Sequence, residues 1–232
     1  MYIEFVGIPG AGKTTLVAET RKLLEQAGVF CTTRATFFSK NKKWLHKLFW
    51  SLLHPQYLDL YALLLWLRLA YRRRMGLEKT ATRVHEYQKL RYQLAHMKKK
   101  SIFVWDNGFV QWFSNHVVAG LVGKEAMTDF IQKRIPAGTL LVFIDTPVEQ
   151  AIRRMREREA RLRATIGTTM QEKSAADEER EGEAFAQSRH IQKSMLEELV
   201  KRNLATLILD GTRPPEENAM VVYKKIKELL LA

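Results

Sequence analysis

Gly7-Ile8-Pro9-Gly10-Ala11-Gly12-Lys13-Thr14 follows the run Tyr2-Ile3-Glu4-Phe5-Val6 and leads directly into Thr15-Leu16-Val17-Ala18-Glu19-Thr20-Arg21-Lys22-Leu23-Leu24. The spacing is GxxxxGK(S/T), set between a strand pattern and an amphipathic helix pattern, which is the context that gives this motif its meaning. Glycines let the backbone turn without strain and approach a ligand closely. The loop's N–H groups can then converge on phosphate oxygens at the positive end of the following helix. Lys13 adds a mobile cation for the outer phosphates, and the Thr14 hydroxyl can complete the shell of a Mg²⁺ ion. Gly7, Pro9, Gly10, Ala11, Gly12, Lys13, Thr14 and Thr15 are therefore expected to bind a nucleoside triphosphate.

The chain has 232 residues, of which 46% are apolar, enough to bury a full core. We read it as a single domain, 1–232, with a helical insertion over 40–100 and a charged lid over about 153–183. The start runs straight into a strand pattern without a charged leader or small-residue cleavage site, so no signal peptide is expected. The longest apolar run, Leu60 to Leu67, is less than half a membrane span. A single cysteine, Cys31, excludes an internal disulfide framework and suits a reducing compartment, so a cytoplasmic protein is expected.

The net charge of +13 is unevenly distributed. Residues 1–39 carry four basic and three acidic side chains, and residues 101–232 carry nineteen of each. Residues 40–100 carry fifteen Lys or Arg against Asp59, Glu78 and Glu86, a local excess of +12. That concentration informs on partners rather than on the fold.

Along the chain, 2–6, 29–33, 101–105, 139–144 and 204–209 read as strands, rich in β-branched and aromatic residues. Helix patterns lie between them: 13–27 ending at Gly28, three helices over roughly 41–53, 57–74 and 78–99, helical material to about Arg134, and a last helix opened by Pro214-Pro215. Apolar strands alternating with helices predict an α/β fold, a five-stranded parallel sheet covered on both faces. Ligands bind such sheets beyond the carboxyl ends of the strands, where Asp106, Asp145 and Asp210 fall.

With these elements placed, the chain resembles the P-loop nucleoside and nucleotide kinases, in particular their thymidylate-kinase-like branch. The resemblance is specific at Gly7–Thr15. Asp145-Thr-Pro-Val-Glu-Gln-Ala-Ile-Arg-Arg154-Met-Arg-Glu-Arg158 is similar to the family's fourth-strand segment leading into an arginine-bearing lid. Leu209-Asp210-Gly-Thr-Arg213-Pro-Pro-Glu-Glu217 is similar to its last strand and the loop that walls the adenine pocket. Thr33-Arg34 matches the start of its Thr-Arg-Glu-Pro acceptor motif, which implies acceptor contact by Arg34. Ala35 and Thr36 stand where Glu and Pro should follow, and Asp106-Asn107 stands where Asp-Arg is expected. The donor half of the pattern is thus retained while the acceptor half departs, and the family's thymidylate substrate is not carried over.

The resemblance implies an ATP- and Mg²⁺-dependent phosphotransferase. Lys13 would act on the β- and γ-phosphates, and Arg154 and Arg158, four apart on one helix face, would close over the γ-phosphate with Arg161 reaching the acceptor. Asp106 is placed to orient Mg²⁺ with Thr14 or to accept the proton of an attacking hydroxyl; its plainer reading is a cap on the next helix. Asp145 reads at least as well as a cap, and Arg213 falls near the base of the nucleotide. The basic insertion predicts an anionic acceptor, such as a nucleotide or sugar derivative, or else a solvated face. Two alternatives follow from the same segment. One is a polynucleotide 5′-end kinase or nucleic-acid-associated NTPase, motivated by the +12 excess. The other is a nucleotide-binding module peripheral to an anionic membrane, motivated by Tyr61, Leu64, Leu65 and Leu69 beside Arg72-Arg73-Arg74.

Overall fold

The strand that precedes the glycine-rich loop, β1 (Tyr2–Val6), is buried along its whole length. A strand without a solvent-facing side needs partners at both edges and cover on both faces. In a computed structural model, which describes residues 1–33, 52–74, 76–95, 102–106, 108–166 and 175–231, it has all of these. β1 is the central strand of a five-stranded sheet of order β2-β3-β1-β4-β5, with β2 at Cys31–Thr33, β3 at Ile102–Trp105, β4 at Thr139–Asp145 and β5 at Ala205–Asp210. All four pairings are parallel, with Ile3 opposite Val104 on one side and Leu140 on the other.

Alternation along β1 divides the core in two. Ile3 and Phe5 pack with Leu16, Leu24, Val222 and Ile226, beneath α1 (Lys13–Gln26) and the last helix, α8 (Pro215–Leu231). Tyr2 and Val6 face the opposite layer with Trp105, Phe109, Phe113 and Leu196. That layer contains α2 (Leu60–Arg72), α3 (Leu77–Ala95), α4 (Phe109–Val118), α5 (Lys124–Gln132) and α7 (Ala175–Lys201). The remaining helix, α6 (Val148–Ile166), follows β4.

In the insertion, whose described part opens with the helical residues Leu52 and Leu53, a 3₁₀ turn occupies Pro55–Tyr57, so α2 starts at Leu60 rather than at 57. Asp59 caps it, accepting the Ala62 amide at 3.1 Å. The same carboxylate accepts the Arg134 guanidinium, which lies 3.7 Å over the Phe130 ring, and thereby fastens the insertion to α5 and the turn beyond it. Ala62, Leu65, Trp66, Leu69 and Ala70 form the buried face of α2. Leu65 and Leu69 are thus core, and the outward apolar stripe is instead Leu60, Leu64, Leu67 and Tyr71. The basic residues Lys40, Lys42, Lys43, Lys47 and Lys98–Lys100, residues 41–51 of the helix expected over 41–53, residues 167–174 of the expected lid, and Arg34 lie outside the described residues.

Burial pushes the Asp59 carboxyl up, but the Arg134 guanidinium and the Ala62 amide outweigh it and leave the pKa lowered. A depressed carboxylate stabilises the fold above its unfolded pKa, so this contribution is present at neutral pH and is lost on acidification through the carboxylate range. Asp59→Ala removes a cap and strands a half-buried guanidinium, and is expected to lower the unfolding free energy by about 2–3 kcal/mol at pH 7. Urea unfolding checks this, and the difference from wild type should shrink toward pH 3.

Candidate functional site

Two features of the loop after β1 follow from its sequence. Gly10 has φ +81°, and a Cβ there would collide with the Ala151 carbonyl oxygen on α6, so only glycine fits. Gly12 occupies the N-cap of α1 and offers no side chain to the helix, whose first turn also holds no acid. The first amides of α1 are therefore left for a ligand rather than satisfied internally. Thr146, just beyond β4, fixes the loop's far side by donating to the Ala11 carbonyl at 3.3 Å.

Lys13 folds back over the loop, donating to the carbonyls of Gly7 and Ile8, the latter at 2.9 Å. Burial pushes its pKa down to about 8; the Asp106 carboxylate opposes the shift and Arg158 adds to it. Asp106 follows β3 directly, and the parallel β1–β3 register brings it beside the loop. There the Thr14 hydroxyl donates to its Oδ2 at 3.3 Å. The first amides of α4 go to Glu4.

These residues line a cleft of about 630 Å³, closed on its far side by α6. Arg154, Arg158 and Arg161 all face it, on the helix that the charged stretch from 153 to 166 forms. Arginines of the same helix are also engaged in ion pairs: Arg156 with Glu178 at 2.9 Å, and Arg153 and Arg161 with Glu157 at 3.9 and 3.8 Å. A smaller hollow of about 160 Å³ adjoins the cleft, between the loop, the start of α1 and the turn after β5. Ala11, Thr15, Arg154 and Arg213 line it. Asp210 builds that turn, accepting both the Thr212 amide and hydroxyl, which hold its carboxyl below the ordinary value. Asp145 is neither cap nor site residue here; Arg189 donates to it at 2.7 Å and Lys193 at 3.1 Å, both from α7.

The structure thus brings Pro9, Gly10, Gly12, Lys13, Thr14 and Thr15 together with Asp106 and the three arginines at one cleft, and places Arg213 at its annex. One residue with no local signal also belongs to it. Gln111 on α4 lines the cleft, and its Oε1 accepts the Gly7 amide at 3.1 Å. Glu4 lies fully buried behind it. Thr14 and Asp106 supply the hard oxygen donors that Mg²⁺ takes. Among the described residues, no group of three or more His, Cys, Asp or Glu side chains forms a separate metal site, and no helix is long and apolar enough to cross a membrane.

No protein-family model and no curated protein matches the sequence. Solved structures do match the fold. Deoxyadenosine kinase from M. mycoides with bound dATP superposes with a TM-score of 0.52 at 14% identity, over 98% of this chain and 100% of that one. The same enzyme with dCMP and a flexible dCDP gives the same TM-score, identity and coverage. The chain therefore shares the fold of that deoxyadenosine kinase.

An ammonium group whose pKa is held near 8 by burial is about half protonated at that pH. A polyphosphate beside it favours the charged form and raises the pKa, so binding takes up protons. Calorimetric titration with MgATP in two buffers of different ionisation enthalpy should record uptake of about half a proton at pH 8 and almost none at pH 6.5. No uptake at pH 8 would contradict the placement of Lys13 against the phosphates.

Proposed function

We propose that this protein is an ATP- and Mg²⁺-dependent kinase that transfers a phosphoryl group to a hydroxyl or phosphate oxygen of a small acceptor. The observation that carries the reading is the convergence, on one cleft, of an uncapped helix N-terminus, the Lys13 ammonium, the Thr14–Asp106 oxygen pair and three arginines from a separate helix. Phosphoryl transfer asks a protein mainly for positioning and charge neutralisation, and these groups supply both.

In this reading the loop amides and Lys13 hold the β- and γ-phosphates, and Arg213 and Thr15 border the nucleoside end. Thr14 and Asp106 would hold Mg²⁺, which when bound neutralises charge on the phosphate oxygens. Arg154 and Arg158 stabilise charge on the transferred group, and Arg161 reaches toward the acceptor, with α6 acting as a lid that excludes water. Asp106 is also placed to accept a proton from an acceptor hydroxyl. The likeness to the M. mycoides deoxyadenosine kinase makes nucleosides the first acceptor class to test, followed by nucleotides and sugar phosphates, which the basic insertion favours.

A second reading places the kinase at an anionic membrane surface. Leu60, Leu64 and Tyr71 are 68%, 57% and 89% exposed on one stripe of α2, and Arg68, Arg72, Arg73 and Arg74 lie exposed beside it. Leucines and an aromatic ring flanked by arginines match what an interfacial helix presents to lipid. Flotation with vesicles containing phosphatidylserine is expected to carry the protein, and a Leu64→Gln/Tyr71→Gln variant should float about tenfold less; wild type that stays at the bottom at low salt removes this reading.

The main test is an ADP-release screen over nucleosides, nucleotides and sugar phosphates. Lys13→Ala should abolish turnover while the fold survives, and Asp106→Asn should lower the rate about 10²-fold. Wild-type rates in Lys13→Ala would overturn the donor-site assignment.

A further inference from the structure

Glu4 is fully buried in the strand that leads into the phosphate loop. Its place in the alternation puts it with Tyr2 and Val6, on the side of the sheet that faces α4. There its Oε1 accepts the Gln111 amide at 2.9 Å, and the Phe109 and Val110 amides bond to the same carboxylate. The Tyr2 hydroxyl donates to Oε2 at 3.2 Å. The helix N-terminus that would ordinarily be capped by its own preceding residue is therefore capped by a side chain 107 positions away. Gly108 stands at the N-cap, and a Cβ there would run into the Tyr2 hydroxyl and the Glu4 carboxylate. A local cap is excluded by the space that Glu4 itself fills.

The arrangement lowers stability. Burial pushes the Glu4 carboxyl from 4.5 up to about 7, although the amides and Tyr2 favour its ionised form. A carboxylate raised in the folded state withholds stability as pH climbs above its ordinary value, and fully so above the folded one. An aliphatic residue would suit a strand buried on both faces without that penalty.

What the carboxylate gains is position. The helix start that Glu4 holds carries Gln111, whose side chain accepts the Gly7 amide at 3.1 Å, while Lys13 donates to the Gly7 carbonyl. Gly7 is thus held on both sides at the point where β1 becomes the loop. We propose that Glu4 is a positioning residue for the nucleotide site: by holding the first amides of α4 it sets Gln111 against Gly7 and so fixes the entry of the loop before a ligand arrives. This assignment rests on the cleft being a nucleotide site. It differs from simple helix capping in requiring that a change at Glu4 be felt at Gly7.

Amide hydrogen exchange of Gly7, followed by NMR, reads that link directly, and titration with MgADP reads its consequence. In wild type the Gly7 amide should be protected. Glu4→Gln and Gln111→Leu should each accelerate its exchange about five- to tenfold, the scale of one hydrogen bond, and weaken MgADP binding by a similar factor. The double variant should lose no more than either single one, because both act through one chain of contacts. If Glu4→Gln fails to fold, Glu4→Asp withdraws the carboxylate while keeping its charge, and should change Gly7 exchange in the same direction. Wild-type Gly7 exchange and MgADP affinity in a folded Glu4 variant, or additive losses in the double variant, would overturn the assignment. Wild-type protein that takes up no MgADP would overturn the nucleotide reading itself.

Discussion

The first amides of an α-helix have no acceptor within the helix, and at the start of α1 neither Gly12 nor the first turn provides one. This is the constraint that organises the rest of the molecule. A donor cluster of that kind, at the positive end of a helix and beside a buried ammonium, is complete only with an anion in place. The sheet puts it where an anion can reach it. The loop leaves the carboxyl end of the central strand, and the neighbouring β3 delivers Asp106 to its flank.

The charge balance of the cleft follows from the same arrangement. Lys13, Arg154, Arg158 and Arg161 line it together with the acids Asp106 and Glu157, so an excess of positive charge faces inward. Lys13 registers the imbalance: burial lowers its pKa to about 8, and the Arg158 guanidinium contributes in the same direction. A bound polyphosphate relieves both effects. The arginines are carried on a helix laced by ion pairs: Arg153 and the cleft-lining Arg161 both lie near Glu157, and Arg156 pairs with Glu178 on α7.

How much of this was legible in the sequence depended on the range of the interaction. The loop could be read because its chemistry is local, with glycines, a lysine and a threonine at fixed spacing. The five strands could be read because a covered parallel sheet demands continuous apolar runs, and Leu140 to Ile144 is buried throughout. Boundaries shifted where a local device intervened, as at Pro55, whose 3₁₀ turn moved the start of α2 to Leu60. Long-range polar contacts were invisible. Gln111 lies 104 residues from the Gly7 amide it accepts, and Asp145 finds its partners on α7, at Arg189 and Lys193. Glu4 left one trace, a lone carboxylate inside an otherwise apolar strand, which has meaning only once a helix N-terminus is placed against it.

The account stands on an open turn that grips phosphate through its backbone. Calorimetric titration of wild type and Gly10→Ala with MgATP tests this most directly, because the substitution fills the turn against Ala151 without touching any charged group. Saturable binding by wild type and none by a folded Gly10→Ala is the predicted result. No binding by wild type, or equal binding by both proteins, would contradict it.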